Sequence, residues 1–174
     1  GITQGVGSVI TAPDLAIRSA DSVTLDQSND VTNLAATVTT AAATLTFYDA
    51  TGLTVAPPNP GLNISGVAID GLTGVLSNSG VITLRMNNLS FGSTINSGAA
   101  RTILEPFADG QLVDLGALDA VGTLGLTDAE LDQITAGVLQ IGRSQILLAD
   151  PTNTGTINIS AAITNPATWT TMAL

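Results

Sequence analysis

The sequence predicts an all-β fold: a single-domain parallel β-helix, or β-solenoid, with one short helix near residues 127–135. Short runs that alternate apolar and polar residues recur about every 8 to 12 residues, with turn residues between them. A loose strand motif also returns at residues 22–25, 80–84 and 155–159. Degenerate repeats of one strand-turn unit favour stacked coils, because a single coil cannot bury its own apolar face.

The composition agrees with a narrow sheet interior. Hydrophobic residues make up 44% of the 174 residues, aromatic residues 3% and charged residues 10%. Ala, Val, Ile and Leu must therefore form the core, and small or β-branched side chains suit stacked sheets. The length is sufficient for one domain with a sizeable core, and the apolar fraction excludes a disordered acidic tail.

The first third of the chain is predicted to alternate between strands and turns. The order apolar, polar, apolar, polar is clearest at residues 23–26 and 45–48. Predicted turns fall at Pro13-Asp14, Ala20-Asp21, Asn29-Asp30 and residues 49–52. Predicted strands lie between them, at residues 9–11, 15–18, 22–25, 31–40, 45–47 and 53–55.

Residues 56–61 interrupt this pattern with Pro57, Pro58 and Pro60. Proline donates no backbone hydrogen bond, so this segment cannot form a central strand. It is either a boundary between two domains or a Pro-rich excursion from one continuous stack. We favour the excursion, and one domain over residues 1–174, because the strand pattern resumes at once at residues 62–64.

The middle of the chain repeats the same pattern. Predicted strands fall at residues 67–69, 75–76, 81–86, 89–91 and 102–104. Predicted turns, each with Gly or Asn, fall at residues 70–71, 78–80, 87–88 and 97–98. Parallel stacking of such strands would align Asn and Thr side chains in ladders.

The segment from 124 to 163 holds the only good helix signal. Thr127 and Glu130 fit the capping box, in which the Thr hydroxyl accepts an early backbone N–H and the Glu side chain reaches back. Asp128 adds negative charge at the positive end of the helix dipole. The apolar stripe consists of Leu126, Ala129, Leu131 and Ile134. Gly137 is predicted to end the helix. Predicted strands follow at residues 138–141, 146–148 and 156–160.

The charge balance excludes several functions. The chain has 14 acidic residues against four basic ones, a net charge of −10, and no histidine or cysteine. The basic residues are Arg18, Arg85, Arg101 and Arg143. An acidic field of this size repels phosphate backbones, so we expect no nucleic-acid binding. No run of about 18 apolar residues occurs, so we expect no membrane insertion.

The start of the chain carries no recognisable targeting segment. Gly1-Ile2-Thr3-Gln4 lacks the basic and apolar regions of a signal peptide. We therefore expect a mature piece or an internal fragment of a longer repetitive protein. The lack of cysteine means that no disulfide stabilises the chain, which is compatible with secretion by bacteria.

Three segments resemble the repeats of filamentous haemagglutinin-type bacterial exoproteins. The most specific reads GTLGLTDAELDQITAG at residues 122–137 and continues through Ile141-Gly142 to Gly155-Thr156-Ile157-Asn158-Ile159. The other two, at residues 22–36 and 80–84, are generic for Gly/Thr/Val-rich solenoids. In that family such stretches form right-handed parallel β-helices, which are exported to the cell surface and used for adhesion.

The resemblance implies an extracellular or bacterial cell-surface location. The matching residues are those of shaft repeats. They include no counterpart of the family's N-terminal secretion domain and no receptor-binding motif, and the tripeptide Arg-Gly-Asp is absent from the sequence. Adhesion is therefore expected of a whole protein rather than of this piece, and the receptor, protein or glycan, is left open.

Few side chains could support catalysis or bind a metal. Without Lys, His and Cys, the usual nucleophile–base pairs and Schiff bases are excluded, and zinc would have only carboxylate ligands. Asp128 and Asp132 lie one helical turn apart, and carboxyl groups about 5 to 9.5 Å apart can hydrolyse glycosides. Residues 150–155 offer oxygen ligands for calcium. Capping and a simple turn explain both groups, so we predict no catalytic, cofactor-binding or metal-binding residue.

Other side chains are candidates for surface recognition. The threonine pairs resemble parts of ice-binding arrays, but unaligned pairs do not form an array; they are Thr37/Thr39, Thr44/Thr46 and Thr168/Thr170. Trp169 and Tyr48 could stack on a sugar ring. For Trp169 we favour a different role, as a cap on the open end of the solenoid together with Pro166 and Met172.

The expected function is structural: a non-catalytic segment of a secreted or cell-surface bacterial adhesin or extracellular filament, with no cofactor. The alternative is a carbohydrate-active β-helix enzyme or a sugar-binding module that uses Asp/Glu pairs. Clustering of the four arginines on one face beside Asp residues would favour the alternative. Residues 1–9 contain no proline to protect a strand edge, so we expect end-to-end self-association there.

Overall fold

The computed structural model describes residues 1–51, 61–143, 155–165 and 167–174. Within them the chain is nearly all β, with 15 strands and one helix of four residues, α1, at Asp128–Leu131. The strands are β1 Ile2–Thr3, β2 Thr11–Ser19, β3 Val23–Val38, β4 Leu45–Asp49, β5 Leu62–Ile64, β6 Val75–Ser77, β7 Ile82–Met86, β8 Leu89–Phe91, β9 Ile95–Asn96, β10 Arg101–Pro106, β11 Leu112–Leu115, β12 Thr123–Leu126, β13 Ile134–Ile141, β14 Ile157–Ile159 and β15 Trp169–Ala173.

The strands of the described residues form two sheets, and the pairings between them are parallel. Nine strands of the 12-stranded sheet lie in the order β4-β7-β10-β13-β9-β6-β3-β5-β8. In addition, β1 and β2 pair with β3, and β15 pairs with β13. The smaller sheet has the order β12-β11-β14. The predictions of an all-β fold, a parallel sheet and one short helix are confirmed.

The core is built from columns of apolar residues in register. Leu25, Phe47, Leu84, Leu104 and Ile141 occupy matching positions on five successive strands, and all five are buried. Successive side chains on a strand point to opposite faces, so the intervening polar residues lie on the outer face of the sheet. This is why the two-residue alternation could be recognised in the sequence.

Two predicted turns lie inside long strands instead. β2 continues through Pro13-Asp14, and β3 continues through Asn29-Asp30. Proline fits in β2 because, in the described residues, this strand pairs only with β3, so it lies at an edge of the sheet. Asn29 is buried where the register of β3 against β4 shifts, and its Nδ2 donates to the carbonyl oxygen of Tyr48 at 3.0 Å. The residues that were predicted to form a turn therefore form an irregularity of the β-bulge type within a continuous strand.

The helix is shorter than the predicted 127–135. The capping box is present as predicted: Glu130 N–H donates to Thr127 Oγ1 at 3.3 Å, and Thr127 N–H donates to Glu130 Oε2 at 2.9 Å. The helix ends at Leu131, however, and Gly137 does not terminate it but lies within β13. A Cβ on Gly137 would collide with the carbonyl oxygen of Ala99, so this glycine serves close approach of neighbouring backbones.

One predicted strand is wrong, and several predictions lie outside the described residues. Residues 67–69 form no strand; they belong to a hairpin that begins after β5. The predicted strands at 53–55 and 146–148 and most of the Pro-rich excursion at 56–61 fall outside the described ranges.

Candidate functional site

Residues 66–73 leave the sheet between β5 and β6 as a hairpin, called here the 66–73 hairpin. Ile69 and Leu72 exchange backbone hydrogen bonds of 2.8 and 3.0 Å. Between them, Asp70 and Gly71 have φ angles of 49° and 77°. Positive φ at both central residues is the geometry of the two-residue turn that Asp-Gly favours, so the predicted turn at 70–71 is confirmed. Arg18 ties this turn to β2, because its guanidinium donates to the carboxylate and the carbonyl oxygen of Asp70.

The hairpin leaves the sheet opposite Ala35 of β3. Ser65 N–H donates to the carbonyl oxygen of Leu34, and Ala36 N–H donates to the carbonyl oxygen of Gly74, both at 2.9 Å. The ladder bonds on either side of Ala35 are thus made at the two ends of the hairpin. By the alternation along β3, the methyl group of Ala35 points to the outer face of the sheet. Ala35 is nevertheless 0% exposed, which we attribute to cover by the hairpin.

A ladder of polar side chains crosses four strands next to the hairpin. Asn33 Nδ2 donates to Asp14 Oδ1 at 2.8 Å, and Asn63 Nδ2 donates to Asn33 Oδ1 at 2.8 Å. Ser90 Oγ donates to Asn63 Oδ1 at 3.2 Å. The strand register aligns these residues from β2 through β3 and β5 to β8. We call this row the Asp14–Ser90 ladder; it confirms the predicted alignment of Asn side chains.

An open groove of about 750 Å³ lies between the hairpin and the ladder. Asp14, Asn33 and Asn63 line one side, and residues 65–70 line the other. Val67 is 80% exposed on the hairpin side, and Gly92 also lines the groove. Among the described residues that line it, none is basic. The groove is therefore polar and acidic on one side and largely apolar on the other.

The sequence reasoning missed this groove, although a local pattern marks it. Each ladder residue directly precedes an apolar residue, in the dipeptides Asp14-Leu15, Asn33-Leu34, Asn63-Ile64 and Ser90-Phe91. Nothing in the sequence indicates which of these pairs share a column, because the intervals between them are unequal. The hairpin was missed for a related reason: Val67, Ala68 and Ile69 have the composition of a strand.

Of the candidate catalytic pair, the Asp128 carboxylate has structural contacts, whereas Oδ1 of Asp132 is buried without a hydrogen-bond partner among the described residues. Asp128 Oδ1 accepts the backbone N–H of Thr164 at 2.7 Å, and its carboxylate also accepts the Thr164 hydroxyl. Asp132 is the C-cap of α1, where its backbone N–H donates to the Asp128 carbonyl oxygen. The candidate calcium ligands at 150–154 lie outside the described residues, and Gly155 N–H donates to the Gln111 carbonyl oxygen at 2.9 Å.

The four arginines divide among separate sites. Arg85 and Arg143 both approach Asp109, with nitrogen–oxygen distances of 3.8 and 2.7 Å. The Arg143 side chain is only 5% exposed and also donates to the carbonyl oxygens of Pro106 and Phe107. The other two, Arg18 and Arg101, bond to Asp70 and Gln140 respectively. Two arginines therefore meet beside one Asp, where they hold the turn after β10.

Trp169 is buried, and Arg85 covers one ring face of Tyr48. Trp169 is 7% exposed and pairs with Ala136 in register. The guanidinium of Arg85 lies 5.2 Å from the ring centroid of Tyr48. Burial, and then the charge of Glu105, raise the pKa of Tyr48 above its usual value. The predicted cap partner Pro166 lies outside the described residues.

The candidate threonines are partly aligned after all. Thr46 pairs with Thr24 on one side and with Thr83 on the other, and Thr24 pairs with Thr3. These four residues form one column on the outer face of the sheet. Thr37 instead lies beside Arg18 and Leu76, so the predicted pairs do not share one face array.

Two carboxyl groups outside the groove have raised pKa values. Burial raises the pKa of Asp119 to about 7, against the opposing effect of hydrogen bonds from Gly125 and Leu89. Burial also raises the pKa of Asp49, which accepts the backbone N–H groups of Val31 and Thr51, each at 2.9 Å. Both side chains bond backbone N–H groups, which indicates structural roles.

Comparison with known proteins gives no relative: no protein-family model, no curated protein and no solved structure matches this chain. Among the described residues, no three acidic side chains converge as metal ligands would. The described helix is also far too short to cross a membrane. The function therefore has to be argued from the fold and the groove alone.

Proposed function

We propose that this chain is a β-solenoid, wound right-handed, that forms a non-catalytic structural or adhesive segment of a bacterial adhesin or extracellular filament. In this proposal the protein is secreted or held at the cell surface. One observation carries it: an unbroken parallel column joins the first strand to the last. The column contains Thr3, Thr24, Thr46, Thr83, Ile103, Gln140 and Ala173.

A column of this kind makes the chain a spacer. Its six steps, at about 4.8 Å for each neighbouring strand, correspond to roughly 29 Å along the stacking direction. Adding coils would lengthen the stack without a change of cross-section, because each coil contacts only its neighbours. A rod that grows by repetition suits a protein that must hold a binding surface away from a cell.

The enzyme alternative lacks a comparable observation. Asp128 is engaged by Thr164, and Arg143 is engaged by backbone carbonyl groups. A glycosidase needs two carboxyl groups facing one sugar linkage. The groove contributes Asp14 and Asp70 to its lining, and Arg18 binds the carboxylate of Asp70. We therefore retain only the non-catalytic function.

Self-association through the first coil is part of the proposal. Within the described residues, β1 and β2 pair with β3 on one side only, so their outer backbone groups form a free edge. Val6 and Val9 are 97% and 55% exposed beside it. The part of this edge before Pro13 has no proline to block it, and it can pair with a strand of a second copy.

The location can be tested with an antibody raised against the purified chain. Applied to intact cells of the source bacterium, to the culture medium and to a cell lysate, it should detect the protein on the surface or in the medium. Surface signal should disappear after brief protease treatment of intact cells. Detection only after lysis, with full protection from the protease before lysis, would refute the proposed location.

A further inference from the structure

We propose that the groove beside the 66–73 hairpin binds a linear, neutral oligosaccharide, which lies along the Asp14–Ser90 ladder. This inference goes beyond a structural role, because it assigns a ligand class to one face of the stack. It does not depend on the cellular location, since sugar binding is measured on the purified chain.

The ladder offers hydrogen-bonding groups of the kind that sugar hydroxyls need. An asparagine side chain has two N–H donors and an oxygen that can accept two hydrogen bonds. Along the ladder, the bonds described above use one N–H and one acceptor position of both Asn33 and Asn63. Within the described residues no other side-chain hydrogen bond involves these two amides, so the second donor and the second acceptor position of each are left for a ligand. A hydroxyl group both donates and accepts, so it can satisfy both positions.

The ladder is also held in place before a ligand arrives. Each amide is bonded to a neighbour on both sides, so its rotamer is fixed by the strand register. Ordering side chains at an interface costs binding free energy, and a preorganised surface avoids that cost. Arg18 fixes the hairpin wall in the same way through its bonds to Asp70.

The spacing of the ladder argues against an extended peptide as the ligand. The groove lies along the stacking direction, where equivalent side chains repeat about every 4.8 Å. An extended peptide presents same-face residues about every 6.6 Å, so it loses register with the ladder after one step. A pyranose unit is close in length to one step of the stack, so a linear glycan can place one sugar on each strand.

Charge selects a neutral ligand over an acidic one. Asp14 lies at one end of the ladder, and the described lining residues of the groove include no basic side chain. Arg18, which contacts the hairpin, already forms an ion pair with Asp70. Sulfated or uronic-acid polymers would therefore meet repulsion without a compensating partner.

The opposite wall accommodates the less polar face of a sugar. Val67, Ala68 and Ile69 line this wall, with Val67 largely exposed. Gly66 approaches Gly92 so closely that a Cβ on Gly66 would collide with the Gly92 backbone. Glycine at both positions keeps this end of the groove free of side chains.

The test uses the purified full chain with three neutral hexasaccharides, of cellulose, maltose and chitin type, and an anionic heparin hexasaccharide. Binding is followed by saturation-transfer NMR and by calorimetry. We expect at least one neutral hexasaccharide to bind, and Asn63→Ala to weaken that binding by about tenfold through lost hydrogen bonds. Val67→Glu, at an exposed wall position, should also weaken it without a change in thermal stability.

Asn158→Ala is the matched control. Like Asn63, Asn158 donates its side-chain N–H to a side-chain oxygen in register on a neighbouring parallel strand; its acceptor is Asp114, and the pair lies outside the groove. It should leave binding unchanged. Absence of binding by all three neutral sugars would overturn the inference, as would stronger binding of the heparin fragment. Equal effects of Asn158→Ala and Asn63→Ala would overturn it as well. A protein that binds sugars but is found only inside cells would refute the proposed location alone.

Discussion

The carboxylate of Asp119 accepts the backbone N–H of Leu89 at 2.9 Å, across 30 residues of sequence. Its other oxygen accepts the backbone N–H of Gly125 at 2.8 Å. Leu89 begins β8, the last strand of the large sheet, and Gly125 lies in β12, the first strand of the small sheet. One side chain therefore joins the two sheets, in the place where a backbone carbonyl oxygen would continue the ladder.

The first prediction concerns Asp119 and pH. Because burial raises the pKa of Asp119 from 3.8 to about 7, the folded chain binds a proton there that the unfolded chain does not bind between these values. The Asp119 contribution to stability is therefore fully present below about pH 3.9 and is lost as the pH rises through 7. Asp119→Asn should flatten the dependence of the unfolding free energy on pH between 5 and 8.

Denaturant unfolding at pH 5, 6, 7 and 8 measures this difference. Asp26→Asn, which removes an exposed carboxylate from β3, is the control and should keep the wild-type slope. Equal slopes for wild type and Asp119→Asn would show that the carboxyl group does not take up a proton in the folded chain.

The second prediction concerns the helix cap. Thr127→Ala removes the acceptor of the Glu130 N–H and the hydroxyl that donates to Glu130 Oε2 at 2.8 Å. We expect a loss of about 1 kcal/mol in the free energy of unfolding. A thermal melt compared with Thr73→Ala, at an exposed position of the hairpin, checks the size of the effect. No difference between the two variants would contradict a stabilising role for the capping box.

The third prediction concerns the close approach of two backbone segments at Gly80 and Ala43. A Cβ there would collide with the carbonyl oxygen of Ala43, whereas a Cβ on Gly5 would meet only Ser8 Oγ at 3.4 Å. Gly80→Ala should therefore destabilise the chain by about 1 to 3 kcal/mol, as expected for overpacking. Gly5→Ala should be close to neutral. The midpoints of urea unfolding measure both variants, and equal midpoints would contradict the close approach of Gly80 to Ala43.

The fourth prediction concerns self-association at the first coil. Sedimentation velocity at increasing concentration should reveal end-to-end species, because the outer edges of β1 and β2 are unpaired in the described residues. Val9→Glu places a charge beside this edge and should shift the equilibrium towards the monomer. Leu118→Glu, at an exposed position in the loop before β12, adds the same charge elsewhere and should have no effect. A strict monomer at all concentrations would rule out association through this edge.

Short-range patterns predicted the parts of the fold that depend on neighbours in sequence. The capping box at Thr127, the turn at Asp70-Gly71 and the alternation around Phe47 all follow from residues within four positions of each other. Each of these is present in the structure. The length of the helix was not predicted, because β13 already begins at Ile134. Gly137 lies within that strand, and its close contact is with Ala99, in the turn between β9 and β10.

The groove and the sheet junction could not be predicted in the same way. Asn33 and Asn63 meet only because β3 and β5 pair in one register, and a shift by one residue would place them on opposite faces. The sequence around Asp119 is that of an ordinary loop. Nothing in it indicates that the Asp119 carboxylate bonds to the backbone of Leu89 and Gly125. In both cases the partner is 30 residues away in the sequence: Asn33 for Asn63, and Leu89 for Asp119.

The 66–73 hairpin leaves the sheet opposite Ala35, so its length can change without a change in the strand pairing on either side of it. Ser65 donates to Leu34 and Gly74 accepts from Ala36 at the two ends of the hairpin, so the pairing with β3 is already complete where the insertion begins. A foreign peptide could be inserted at Asp70-Gly71 and displayed there while the register of β3, β5 and β6 stayed unchanged. Loops of different length could likewise diversify at this point, independently of the paired strands that carry them.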